Sequence, residues 1–132
     1  MKRILLAIFL SSAVTFIFAQ TNLKFCVEAG KDGSCKNHSS EFSISKDGGT
    51  ITFLLKNKEG LGTSKIIYKI FRLSDDGKET LDNAIEQDVQ EKWNYAWEEA
   101  VFYDPGTYKV MVYDKSGDGS LISMGILKIF TQ

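Results

Sequence analysis

Apolar and polar residues alternate along most of this chain with the period of two that sends successive side chains to opposite faces of a strand. Tyr108, Val110 and Val112 fall on one face, and Lys109, Met111 and Tyr113 on the other. In the segment 50–55, Ile51, Phe53 and Leu55 point inward. Near the start, Leu23, Phe25 and Val27 oppose Lys24, Cys26 and Glu28, which places Cys26 on the more exposed face. Phe42 and Ile44, set between serines, make a short further segment. The segment 65–73 is apolar on both faces, with Ile66, Tyr68 and Ile70 on one and Ile67, Phe71 and Leu73 on the other. Such a strand is central, or its second face meets something beyond the main core.

Turn signals separate these segments. Asp-Gly occurs at Asp32-Gly33, Asp47-Gly48, Asp76-Gly77 and Asp118-Gly119, and both residue types tolerate the positive φ of tight hairpin turns. Asp104-Pro105-Gly106 predicts a corner, because proline presets φ and glycine accepts positive values. The stretch 80–101 is ambiguous: Leu81, Ile85, Val89, Trp93 and Trp97 recur every four residues, which suits a helix, yet all are odd-numbered and suit a strand. The β context favours a strand over 84–90 and leaves room for one short helical turn at 95–100. About seven strands at a spacing of roughly 8–12 residues predict an all-β, antiparallel two-sheet sandwich.

A resemblance sharpens that fold. Pro105-Gly106-Thr107-Tyr108-Lys109-Val110-Met111-Val112 resembles the corner and penultimate strand of immunoglobulin-like and fibronectin type III-like domains, with Tyr108 in the place of the tyrosine-corner residue. The chain departs from true immunoglobulin domains in lacking a cysteine on the 108–113 strand and a tryptophan on the third or fourth segment. The resemblance implies a β-sandwich and no single function.

Composition places the chain in a compartment. Lys2 and Arg3 followed by the apolar run 4–18 and Ile17-Phe18-Ala19 predict a signal peptide cleaved near Ala19, because a spanning helix needs about 20 apolar residues. Removing 19 of 132 residues leaves one domain over 20–132, secreted or periplasmic and without a transmembrane segment. The leader holds two of the 16 basic side chains and none of the 17 acids, so the remainder carries a net charge of −3 and has no electrostatic case for nucleic acid. In an oxidising compartment Cys26 and Cys35 are expected to form a disulfide. Grouping them with His38 as metal ligands fails on spacing.

Catalysis finds little support. The single histidine, His38, lies in a Ser- and Asn-rich loop, and the adjacent acids Asp75-Asp76 and Glu98-Glu99 would point to opposite faces of a strand. No cofactor motif is present, so a non-catalytic exported module acting by binding or structural association is expected, its partner a protein or a polysaccharide. Asp114, Ser116 and Asp118 with Gly119 follow the opening of a calcium loop, but Gly125 stands where a bidentate acid belongs. A plain hairpin turn is the expected use, and calcium-dependent binding the alternative. Trp93, Tyr95 and Trp97 form the one candidate ligand site. As core they would dominate packing, which is the expected outcome; exposed, they would form an aromatic platform of the kind that stacks on sugar rings.

Overall fold

The alternating segments become strands in the computed structural model, which describes residues 21–132; the expected leader, residues 1–19, lies outside the described residues. In chain order the strands are β1 (Thr21–Cys26), β2 (Glu28–Ala29), β3 (Cys35–Lys36), β4 (Glu41–Ile44), β5 (Gly49–Asn57), β6 (Lys65–Leu73), β7 (Glu79–Asp88), β8 (Tyr95–Phe102), β9 (Gly106–Asp114) and β10 (Leu121–Thr131). They form a smaller sheet in the order β1-β5-β8, a larger one in the order β4-β10-β9-β6-β7, and a two-stranded ribbon of β2 and β3. Pairing is antiparallel except between β4 and β10, which run parallel. The glycines of all four Asp-Gly steps have positive φ, between 78° and 110°.

The seven expected segments are joined by β2, β3 and β8. The last corrects the helical turn allowed at 95–100: those residues are strand, paired with β5 from Gly49↔Phe102 to Lys56↔Tyr95. Helix propensity there amounts to a few tenths of a kcal/mol per residue, which a full edge of ladder hydrogen bonds outweighs. Ala96, Ala100 and Phe102 face inward, while Trp97, Glu99 and Val101 face out.

Between the sheets the core is aromatic along its length. Phe25 meets Phe53 edge-on at 5.5 Å, Phe53 lies 5.9 Å from Tyr68, and Phe102 meets Tyr108 at 4.9 Å. Leucines, isoleucines and valines of β5, β6, β9 and β10 fill the gaps around them. Gly125 belongs to that packing, because a Cβ there would stand 3.0 Å from the Phe25 ring. The corner closes one end: the Tyr108 hydroxyl donates to the Asp104 carbonyl at 2.8 Å. Arg72 adds a clamp, donating to the Tyr108 hydroxyl at 3.1 Å and to the Pro105 carbonyl at 2.8 Å.

Cys26 is fully buried, against the expectation of an exposed face. Alternation does place it on the outward side of β1, but the ribbon of β2 and β3 folds over that side. The Cys26–Cys35 disulfide ties it down with a Cα–Cα distance of 5.5 Å. Thr52 and Leu54, also outward on β5, are buried with it. Val27, expected inward, follows the end of β1 and is exposed.

Candidate functional site

The link from β7 to β8 is held by backbone hydrogen bonds before any side chain is considered. The Leu61 N–H donates to the Trp93 carbonyl at 2.8 Å, Gly62 N–H to Glu91 at 3.0 Å, and Asn57 N–H to Asn94 at 2.8 Å. The Asn94 side chain returns a bond to the Lys58 carbonyl at 2.8 Å. Gly60 permits this lacing, since its φ is 100° and a Cβ there would stand 2.7 Å from the Glu91 carbonyl oxygen. The backbone at Trp93 is therefore fixed while its indole stays 41% exposed.

Trp97 is the second exposed indole, at 40%. Both rings thus correct the expectation that they lie in the core. The reason is topological: β8 is an edge strand, and Trp97 sits on the outward side of it. Its carbonyl points off the sheet edge and accepts from the Gln87 side chain at 2.9 Å. Gln87 in turn accepts from the Tyr68 hydroxyl at 2.7 Å, so one amide links the core to the groove. Burial, with a smaller contribution from the Glu98 charge, raises the Tyr68 pKa and keeps that hydroxyl a donor. The Glu99 N–H on the same edge is taken by the Glu98 carboxylate at 3.3 Å. Side chains thereby occupy the edge groups through which another strand would add.

Trp93 and Trp97 line a groove of about 680 Å³ with Gln87, Lys92, Asn94 and Glu98. Tyr95 plays a different part from its neighbours. Its ring packs on Gly33 and its hydroxyl donates to the Lys31 carbonyl, which pins the loop between β2 and β3. Beyond it lies a polar cleft of about 840 Å³ lined by Asn22, Lys24, Asp32, Lys56, Lys58 and Glu59, sharing Asn94 and Tyr95 with the groove. Sequence reading missed these polar groups because they come from two strands and two turns with no common motif.

The possible calcium loop is engaged internally. One oxygen of Asp114 accepts from the buried Thr63 hydroxyl at 2.5 Å and from the Gly117 N–H at 2.8 Å. The Ser116 hydroxyl sits 2.7 Å from that of Thr63. Asp118 accepts from the Ser120 N–H at 2.9 Å, and hydrogen bonds from Ser120 hold its carboxyl below the usual range. Among the described residues no three His, Cys, Asp or Glu side chains come together as a metal would require. His38 is exposed, Glu99 faces out, and Glu98 faces inward at the groove.

No protein-family model matches this chain, and no curated protein matches it significantly. Among solved structures it is similar to an immunoglobulin-like protein from Pseudomonas aeruginosa, at 13% identity and a TM-score of 0.53, covering 82% of this chain and 91% of that one. It is also similar to the soluble domain of PmoD from Methylocystis, at 11% identity and a TM-score of 0.52, covering 83% and 90% of the two chains. Identities this low speak to fold alone. That fold is an immunoglobulin-like β-sandwich.

Proposed function

We propose that this protein is a non-catalytic β-sandwich module, exported after loss of residues 1–19, that works by binding. The observation that supports the reading is the pair of indoles, Trp93 and Trp97, two-fifths exposed in one groove on a rigidly held backbone. A fold without this need would bury such large apolar rings. Flat apolar rings beside amide and charged groups match the two faces of a sugar, whose C–H side stacks and whose hydroxyls take hydrogen bonds. A polysaccharide is therefore the ligand this groove fits best, with Lys92, Asn94 and Glu98 as the polar partners.

The test is the pair of substitutions Trp93→Ala and Trp97→Ala. Each is expected to change stability by no more than about 0.5–1 kcal/mol, as exposed positions do, and to weaken retention on an insoluble polysaccharide by about tenfold or more. Wild-type retention by both variants across cellulose, chitin, xylan and peptidoglycan would overturn the reading. Substrate turnover abolished by one point substitution would overturn its non-catalytic part. Intact mass of the exported protein is expected to begin at Gln20.

A further inference from the structure

The outward face of the larger sheet lies away from the groove and is apolar across four strands. On β10, Met124, Ile126 and Phe130 are exposed by 46%, 42% and 47%. The register sets Met124 beside Met111 of β9, and sets Ile126, Lys109, Phe71 and Leu81 in one row across β10, β9, β6 and β7. The next row runs Lys128, Thr107, Leu73 and Glu79. The lysines do not break the face up. Lys109 is drawn sideways to Glu79 at 3.1 Å, and the Lys69 ammonium lies 5.1 Å from the Tyr113 ring centre, so their stems lie along the apolar surface. A patch this continuous on an exported domain marks an interaction surface.

We infer that this face is where a second copy of the chain docks, forming a two-fold dimer with the larger sheets face to face. The charges select that occupant. Turning a copy about an axis that runs along the strands, midway between β9 and β6, lays β7 over β10 and β6 over β9, row upon row. Ile126 then faces Leu81 of the second copy, Lys109 faces Phe71, and Lys128 faces Glu79. Lys128 has no ion pair of its own among the described residues, while Glu79 remains 41% exposed despite holding Lys109. The face thus presents Lys128 on its β10 side, with Glu41 of β4 next to it in the register, and Glu79 on its β7 side, and a two-fold turn sets these opposite charges against each other, which is the condition for an isologous contact. Sheets stacked this way keep their strands within about 30° of each other, which preserves the central rows. Size agrees. Four strands about 4.8 Å apart, each rising about 3.3 Å per residue over the nine residues of β6, span a plan area of roughly 570 Å² per copy. Side-chain relief adds to that, which puts the contact between a weak interface and the standard one of about 800 Å² per partner. Growth through the β7 edge is discouraged, because Asn83 caps the Ala84 N–H at 2.8 Å.

Sedimentation velocity of the exported chain, from about 1 μM to about 500 μM, is expected to show a reversible monomer–dimer equilibrium with a Kd in the micromolar range. Ile126→Glu is expected to weaken it at least about tenfold with an unchanged melting temperature at low concentration. Lys128→Glu and Glu79→Lys each set like charges opposite each other at both ends of the dimer, and each alone is expected to weaken association. Mixing the two variants restores both opposite-charge pairs, and so is expected to restore association toward the wild-type value. A wild-type protein that stays monomeric to about 500 μM would overturn the inference. So would association indifferent to Ile126→Glu, or mixed variants that associate no better than either alone. None of these outcomes depends on polysaccharide binding through Trp93 and Trp97.

Discussion

The β1–β5 part of the smaller sheet and the larger sheet both carry apolar residues on their outward faces and dispose of them in opposite ways. On the smaller sheet, Cys26, Thr52 and Leu54 face out of the sandwich and are nonetheless buried, because the β2–β3 ribbon folds back over them under a disulfide and a tyrosine clamp. On the larger sheet, Met124, Ile126 and Phe130 face out and stay exposed, with no element of the described chain laid across them. An outward apolar position therefore has no fixed meaning in a sandwich. Where the chain supplies a cover the position is a second, small core; where it does not, the position is available to a partner. The comparison predicts that side chains of similar size on the two faces will differ sharply when removed.

Leu54→Ala should show the largest effect. A fully buried leucine truncated to alanine loses transfer free energy and leaves a cavity, so a cost of about 2–5 kcal/mol is expected. Ile126→Ala, on the open face, should cost about 0.5 kcal/mol or less in urea melts run at low protein concentration, where association adds nothing. Equal costs at the two positions would mean that the ribbon is not a true cover or that the open face is not truly open.

Reducing the disulfide probes the cover itself. A ring of about ten residues gives roughly 2.5–3 kcal/mol by loop entropy, so reduction should lower the melting temperature without abolishing folding. Non-reduced protein should first show the loss of two hydrogens by mass spectrometry. The reduced protein should lose amide-exchange protection at 27–36 before it loses any on β6 or β9, because the sandwich core does not rest on the ribbon. Uniform loss over the whole chain would place the disulfide in the main core and erase the distinction between the faces.

How much of this could be read from the sequence follows from how local each determinant is. The four Asp-Gly turns and the Tyr108–Asp104 corner involve partners at most six residues apart and were legible as turns, although Asp47-Gly48 carries the chain from the larger sheet to the smaller one and closes no hairpin between paired strands. Alternation placed Ile51, Phe53 and Leu55 inward correctly, since one strand settles it. The two apolar faces of segment 65–73 meant a central strand or one that meets something beyond the main core, and the topology makes it an interior strand of the larger sheet, between β9 and β7. Segment 95–100 defeated periodicity because a four-residue repeat of odd positions fits both helix and strand, and the deciding partner, β5, lies 39 residues away in sequence at its nearest pair, Lys56↔Tyr95. Cys26 obeyed the alternation, and its burial came from a ribbon that no pattern in β1 encodes. The indoles were expected in the core because their area usually demands it; an edge strand with its backbone groups capped by Gln87 and Glu98 is the arrangement that leaves them out. Arg72, which clamps the corner from 36 residues away, gave no signal in a strand of alternating apolar residues.

The smallest predicted effect isolates the clamp from the cover. Tyr95 holds the ribbon loop in two ways, by its ring against Gly33 and by its hydroxyl on the Lys31 carbonyl. Tyr95→Phe removes only the second. The bond is solvent-exposed, so water can replace it on the carbonyl, and the net loss should fall at the lower end of the usual 0.5–1.5 kcal/mol for a hydrogen bond. Global stability should therefore shift by about 0.5 kcal/mol, close to the limit of a urea melt. The local signature is clearer, because opening of the loop alone should become about two- to threefold more frequent and amides at 30–34 should exchange faster in proportion. Those on β5 and β9 should not change. Exchange at 30–34 indistinguishable from wild type would show that the ring and the disulfide alone hold the cover, and would leave the hydroxyl of Tyr95 free to serve the groove beside it.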